Sequence, residues 1–186
     1  MKKVYVILTR TGTAPAQLVR LATRAEFTHS SIAIMPCRHS LHSFGRRNLN
    51  NFLISGYLHE DADKHVYAKY PDSPCAVYEI CVSNDGYKRM ANELSAFNKR
   101  YDKHKYSFIG AVTTQLGIKK KLKYRYTCSQ FVATILNASG EIRLPKHPSL
   151  IKPMDFASIS GSKLVFRGKI KDLCFGHDTT DSGEQS

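Results

Sequence analysis

Tryptophan, paired cysteines and long hydrophobic runs are all missing from this sequence of 186 residues. Its five cysteines are an odd number and form no CxxC pair, which argues against a disulfide framework and against a zinc site built from four cysteines. The apolar run at residues 4–8 is shorter than the roughly 7–15 residues of a signal peptide, and no segment approaches the ~20 apolar residues of a membrane span. We therefore expect a cytoplasmic protein with reduced thiols.

Acidic residues are few, because 15 Asp and Glu stand against 28 Lys and Arg, for a net charge of +13. Such a charge attracts nucleic acid, an anionic membrane or an acidic substrate, but it does not determine a fold. Hydrophobic residues make up 42% of the chain, which is enough for a core and excludes a disordered protein. We expect one domain at residues 1–174, followed by a polar, disordered tail at 175–186.

The hydrophobic pattern predicts strands and helices that are partly segregated along the chain. Apolar and β-branched runs predict strands at residues 3–9, 30–35, 41–44, 75–82 and 163–167, with a short strand at 65–68. Helical spacing predicts helices at residues 14–24, 106–116 and 127–138, and a long helix capped by Asn84. We expect an α+β domain in which an antiparallel sheet packs against helices.

Cys128 is the first candidate for chemistry, because it begins a predicted helix. Phe131 and Val132 follow at helical spacing, so the thiol lies on the apolar side of that helix. The free N–H groups and the dipole at a helix N-terminus favour a thiolate, and the basic residues at 119–125 add positive potential. These conditions suit a nucleophilic cysteine, whereas an inert core cysteine is the alternative.

A thiol nucleophile needs a base, and His29 at the start of the second predicted strand can supply one. His42 lies 13 residues later, on the strand predicted to pair with it. We expect the hairpin to bring the two imidazoles together on one face, so that His42 orients His29. Ser43 would point to the opposite face, so only one of these two residues can do so. Each histidine, taken alone, also fits a strand residue with no catalytic role.

Three short motifs carry a family resemblance. They read Thr-His-Ser-Ser-Ile-Ala-Ile at residues 28–34, Leu-His-Ser-Phe-Gly-Arg-Arg at 41–47 and Tyr-Thr-Cys-Ser-Gln-Phe-Val at 126–132. Together they resemble the circularly permuted branch of the NlpC-type papain-like superfamily, which includes the YaeF/YiiX-like proteins and the lecithin retinol acyltransferase-like enzymes. In that branch the histidine precedes the cysteine, as it does here by 99 residues. The resemblance extends over residues 3–173.

The resemblance implies a permuted papain-like domain with Cys128 as nucleophile, His29 as base and a third polar residue on the next strand. His42 matches that position by spacing. No Asp or Glu occurs at residues 27–59, so a carboxylate in this role would come from another segment, with Glu79 as the candidate. The implied activity is hydrolysis of an amide or ester bond through an acyl-enzyme, or transfer of the acyl group. The backbone N–H of Cys128 and a tyrosine hydroxyl are the expected oxyanion donors.

The substrate is expected to be a peptide, amide or lipid-like acyl compound with an anionic group. Arg46, Arg47 and Tyr126 are the predicted contacts for it, since two arginines follow the His42 strand and Tyr126 precedes the thiol. The histidines lack metal-ligand spacing and no phosphate-binding motif occurs, so we expect no metal and no cofactor. A basic module that binds nucleic acid or an anionic membrane without catalysis is the competing hypothesis.

Overall fold

The computed structural model describes residues 1–11, 24–48, 54–119 and 122–175, although the side chains of Phe108 and Ile109 lie outside the description. In this part of the chain the strands are β1 (Lys2–Thr9), β2 (His29–Ala33), β3 (Leu41–Arg46), β4 (Ser55–Glu60), β5 (Pro74–Val82), β6 (Lys105–Tyr106), β7 (Arg125–Tyr126) and β8 (Lys163–Lys169). The helices are α1 (His65–Lys69), α2 (Asn84–Lys99), α3 (Phe108–Gln115) and α4 (Cys128–Ala138).

The strands form a single sheet in the order β7-β6-β4-β3-β2-β1-β5-β8. Neighbouring strands are antiparallel except β6 and β7, which pair in parallel. The predicted α+β class is confirmed, and the sheet is mixed because of this short parallel pair at one edge. Among the described residues, no helix has the length and apolar character needed to cross a membrane.

Strand β1 lies inside the sheet and is buried on both faces, which explains its continuous apolar sequence. Val4, Val6 and Leu8 contribute to the larger core cluster, which contains the buried side chains of α2 and α4. Tyr5 and Ile7 point to the opposite face and join a smaller cluster with α1 and the C-terminal segment. The sheet therefore has a helix face, covered by α2 and α4, and a second face, covered by α1 and residues 170–175.

Local sequence explains where the helices begin and end. Thr127 precedes α4, and its hydroxyl accepts a hydrogen bond from the backbone N–H of Gln130 at 3.1 Å. The cap of α2 is Ser83, which accepts from Gly86 N–H at 2.9 Å, and the predicted cap Asn84 is the first helical residue instead. Gly117, with φ +71°, follows the end of α3 in the left-handed conformation that glycine adopts readily.

Several segments differ from the prediction. Residues 65–68 belong to helix α1 and not to a strand, because a short apolar run does not distinguish the two. From this helix the buried Tyr67 forms a 3.2 Å hydrogen bond with Thr9. Strands β4, β6 and β7 were not predicted, and Tyr106 ends β6 instead of starting a helix. The predicted helix at 14–24 lies outside the described residues except for Arg24, and the predicted tail does so except for Phe175, which packs against Tyr5.

Candidate active site

Cys128 is the first residue of α4, and its side chain points into the protein. Only 6% of the residue is exposed. The first N–H groups of a helix have no acceptor within the helix, so they and the dipole direct positive potential towards the thiol. The cap at Thr127 fixes where the helix begins and therefore where the sulfur lies.

His29 is the first residue of β2, so its imidazole meets the Cys128 thiol at the end of that strand. The two groups are close enough for each to shift the pKa of the other. The backbone of the next residue, Ser30, also favours the thiolate. The side chain of His29 keeps 20% of its surface exposed, so the site opens to solvent at the imidazole. The structure thus brings together the two residues that the sequence predicted as nucleophile and base.

The two groups shift each other's protonation in opposite directions. Burial alone raises the pKa of Cys128, but the hydrogen bond and charge of His29 outweigh it and bring the pKa below its ordinary value of 9.0. A helix terminus contributes about 0.3–1 kcal/mol to such a shift, and the imidazole of His29 is the largest cause that lowers the pKa of Cys128. Burial likewise opposes the charge of His29, yet Glu60 and Cys128 raise the pKa of the imidazole well above 6.5.

Glu60 is the carboxylate that orients the imidazole. It is the last residue of β4, and its Oε1 lies 3.2 Å from Nε2 of His29. The hydroxyl of Ser31 donates to its Oε2 at 2.6 Å. Burial raises the pKa of Glu60, but the charge and hydrogen bond of His29 and the hydroxyl of Ser31 outweigh burial and bring the pKa below 4.5, so the carboxylate stays ionised. Because Glu60 occupies Nε2, the other ring nitrogen, Nδ1, is left for the thiol.

His42 does not orient His29. That prediction was wrong because the two side chains point to opposite faces of the sheet. His42 pairs with Ile32, and side chains alternate along a strand, so His29, three residues from Ile32, points to the opposite face. On the helix face His42 bonds the hydroxyl of Tyr57 through Nδ1 at 2.8 Å. Burial is the main reason that its pKa falls to about 4. Ser43, the alternative, lies on the His29 face.

Glu79, the other carboxylate considered, also lies away from His29. It belongs to β5, which is separated from β2 by β1, and it forms a 3.1 Å ion pair with Lys3. Sequence reasoning missed Glu60 because its segment showed no clear period, so β4 was not recognised. Glu60 is placed by the pairing of β4 with β3, in which Leu58 lies opposite Ser43 and Glu60 follows two residues later. The sequence alone does not show this pairing.

Tyr106 is a further residue that the sequence did not single out from ten tyrosines. It ends β6, where it pairs with Tyr126. Burial raises its pKa, and the nearby Cys128 thiolate raises it further. The phenol therefore remains protonated, as a hydrogen-bond donor near the sulfur.

The predicted substrate contacts serve the fold or point away from His29. Arg47 is committed to the fold, because it donates to the carbonyls of Tyr57 at 3.1 Å and Tyr101 at 2.6 Å and stacks over the Tyr101 ring. Tyr126 packs in an aromatic cluster and forms part of the core. Arg46 does not face His29 either: an added Cβ on Gly45 would lie 3.8 Å from Cε1 of His29, so the next side chain along β3, Arg46, points to the opposite face.

One group of metal-type ligands occurs in the described part of the chain, apart from the thiol. His39, Asp61 and Asp63 place one ligand atom each within 4.8 Å of one another. Asp61 already forms an ion pair with Lys64 at 3.1 Å, and Asp63 forms one with Arg38. Two cations thus neutralise the carboxylates that a metal ion would use.

Comparisons with known proteins identify no relative: no protein-family model, no curated protein and no solved structure matches this chain.

Proposed function

We propose that this protein is a cysteine-dependent hydrolase in which Cys128 is the nucleophile, His29 the general base and acid, and Glu60 the residue that orients His29. The observation that carries the proposal is the chain of contacts from the Glu60 carboxylate through His29 to a buried thiol at a helix N-terminus. Each member satisfies a separate requirement of nucleophilic catalysis: an activated nucleophile, a proton carrier and an orienting group.

The proposed reaction cleaves an amide or ester bond in two steps. The Cys128 thiolate attacks the carbonyl carbon, and the His29 imidazolium gives its proton to the departing amine or alcohol, which leaves an acyl thioester. A water molecule then gives a proton to the neutral imidazole and attacks the thioester, and Cys128 departs as a thiolate that pairs again with the imidazolium. An alcohol or amine acceptor in place of water would give acyl transfer.

Two kinds of donor support the negative oxygen that forms during each attack. The first N–H groups of α4 point towards the sulfur and have no acceptor within the helix. The Tyr106 hydroxyl is the second donor that we assign. The charge of Cys128 contributes to its raised pKa, and this raised pKa keeps the hydroxyl protonated. Loss of one such donor typically costs about 10²–10³ in rate.

The chain order also supports a permuted papain-like domain of the NlpC type. His29 comes first, on a strand, and Cys128 follows on a helix that packs against that strand, with Glu60 on a further strand of the sheet. The substrate class remains a peptide, amide or lipid-like acyl compound.

A small activated ester tests this proposal without knowledge of the natural substrate. After incubation with p-nitrophenyl acetate and acid quenching, peptide mass spectrometry should find one acetyl group on Cys128, although Cys81 and Cys174 are exposed. A Cys128→Ala variant should lose ester turnover by on the order of 10³-fold or more, because the nucleophile is absent. The matched control, Cys174→Ala, should keep wild-type turnover. Acetyl groups spread over the exposed cysteines, with Cys128 unmodified, would overturn the proposal.

A further inference from the structure

An exposed apolar surface lies on α3 and the residues that follow it. Val112, Leu116 and Ile118 are 61%, 68% and 52% exposed. Val112 and Leu116 are four residues apart and therefore share one side of the helix, while Gly110 and Thr114 are buried on the other side. We call these three side chains the α3 patch.

The end of α3 holds the last member of the patch in place. The N–H of Ile118 donates to the carbonyl of Thr113 at 2.9 Å, and the N–H of Gly117 donates to Thr114 at 3.2 Å. This pair of bonds, with Gly117 in the left-handed conformation, closes the helix and turns Ile118 back beside its last turn. The patch is thus a fixed feature of the fold.

The surroundings of the patch carry charge of one sign. From residue 103 to residue 140 the sequence has seven Lys or Arg and no Asp or Glu. Of these, Lys119, Lys123 and Arg125 are exposed in the structure. Tyr124 lies between two of them, with the Lys123 ammonium 5.3 Å from its ring centre. Aliphatic side chains next to lysines and a tyrosine are typical of a surface that rests on an anionic bilayer.

We infer that the α3 patch and the basic residues that follow it dock the protein on an anionic membrane surface. Charge complementarity selects the occupant: the lysines attract acidic lipid headgroups, and the three aliphatic side chains enter the layer of acyl chains beneath them. Nucleic acid fits the charges equally well, but a phosphate backbone gives exposed Val, Leu and Ile side chains nothing to contact. The aliphatic side chains of the patch therefore favour an anionic membrane over nucleic acid.

This surface is joined to the candidate active site. The N–H of Ser107, just before α3, donates to the carbonyl of Tyr126 at 2.9 Å. A Cβ added to Gly110 would lie 3.4 Å from Cγ2 of Thr127, the residue that caps α4 ahead of Cys128. Docking through the α3 patch would therefore place this helix between the membrane and the Cys128 site.

Vesicle sedimentation tests the inference, with the Cys128→Ser variant as the parent so that catalysis plays no part. We expect binding to vesicles of phosphatidylcholine with phosphatidylglycerol, weak binding to phosphatidylcholine alone, and a decrease as salt is raised. The double substitution Leu116→Gln and Ile118→Gln should weaken binding about tenfold, because less apolar surface leaves water. Thermal melting of each variant checks that it folds.

The matched control is Leu164→Gln with Val165→Gln, which removes two aliphatic side chains of similar exposure, 44% and 43%, from β8. This control should bind vesicles as the parent does. Equal binding to neutral and anionic vesicles, absence of binding to either, or an equal loss in the β8 control would overturn the inference. Binding to a duplex oligonucleotide with vesicles left unbound would replace the membrane with nucleic acid.

Discussion

Cys128 and Cys75 are both buried, with 6% and 0% of their surfaces exposed. The pKa values of their thiols are nevertheless shifted in opposite directions. Burial alone acts on Cys75, on strand β5, and raises its pKa to about 12. Cys128 is subject to the same effect, but His29 and the backbone of Ser30 bring its pKa below the ordinary value. Burial therefore does not decide whether a thiol is reactive; the charged partner does.

The pKa values of two partly buried histidines, His29 and His42, show the same contrast. His42 has a tyrosine hydroxyl as its hydrogen-bond partner and stays neutral, with a pKa lowered to about 4 by burial and by the neighbouring His59. His29 has a carboxylate, and its pKa rises well above 6.5 against the effect of burial. The surroundings of His29 differ from those of His42 by one buried carboxylate, Glu60, and by the thiol of Cys128 on the other side of the imidazole.

The largest expected effect comes from removing the imidazole, which should make Cys128 resemble Cys75. In a His29→Ala variant burial is no longer opposed by the imidazole, so the pKa of Cys128 should rise and its alkylation at pH 7 should slow by about 100-fold. Iodoacetamide labelling followed by peptide mass spectrometry measures this rate for each cysteine. His42→Ala is the matched control and should leave the rate at Cys128 unchanged. If the pH midpoint for labelling of Cys128 were the same with and without His29, the assignment of His29 as the partner of the thiol would be contradicted.

Replacing Glu60 should have a smaller effect, because the imidazole remains. Glu60→Gln keeps a hydrogen-bond acceptor but removes the negative charge, so the pKa of His29 falls and that of Cys128 rises. The pH range in which thiolate and imidazolium coexist should narrow from both sides, and labelling at neutral pH should slow by about tenfold. The pH profile of iodoacetamide labelling measures the acidic edge, where the thiolate forms, and NMR titration of the His29 imidazole measures the alkaline edge, where the imidazolium loses its proton. Glu79→Gln, which removes a carboxylate on β5, should leave both edges in place; an unmoved alkaline edge in Glu60→Gln would count against the orienting role.

The smallest expected effect concerns stability at His42. Its pKa is about 4 in the folded protein and close to 6.5 when unfolded, so below pH 6.5 the unfolded chain binds a proton that the folded chain does not. The stabilising contribution is complete above pH 6.5 and is lost as the pH falls towards 4, by about 2 kcal/mol at pH 4.5. Urea unfolding of wild type and His42→Gln at pH 7 and 4.5 measures the difference. The lost bond to Tyr57 lowers stability at both pH values, so an equal gap at both would refute the pH effect.

The sequence was informative where chemistry depends on local structure. A helix start at Cys128 and a strand start at His29 were both recognisable from apolar spacing, and the strands predicted around residues 3–9, 75–82 and 163–167 are present. The position of Glu60 was not recognisable, because it depends on a strand, Ser55–Glu60, that contains a glycine and two polar ends. Its role arises from pairing with β3, which is a property of the whole sheet.

The roles of His42, Arg47 and Tyr126 could not be read from spacing either. A shift of one residue in register exchanges the two faces of a strand, so a hairpin estimated from its length does not say whether His42 or Ser43 accompanies His29. Arg47 looked available for a substrate because the two carbonyls that it binds come from distant segments, at Tyr57 and Tyr101. Side chains that complete the fold and side chains that bind ligands have the same appearance in a sequence.

Each of the three residues of the site stands at the end of a different element: His29 begins β2, Glu60 ends β4 and Cys128 begins α4. The contact from His29 to Glu60 closes a loop of 31 residues, and the contact from His29 to Cys128 closes one of 99. Contacts of such separation form late, after the local elements, because closing a long loop costs entropy before it yields any interaction. A chain still emerging from the ribosome therefore carries an ordinary thiol at Cys128, and the reactive thiolate exists only once folding has been completed.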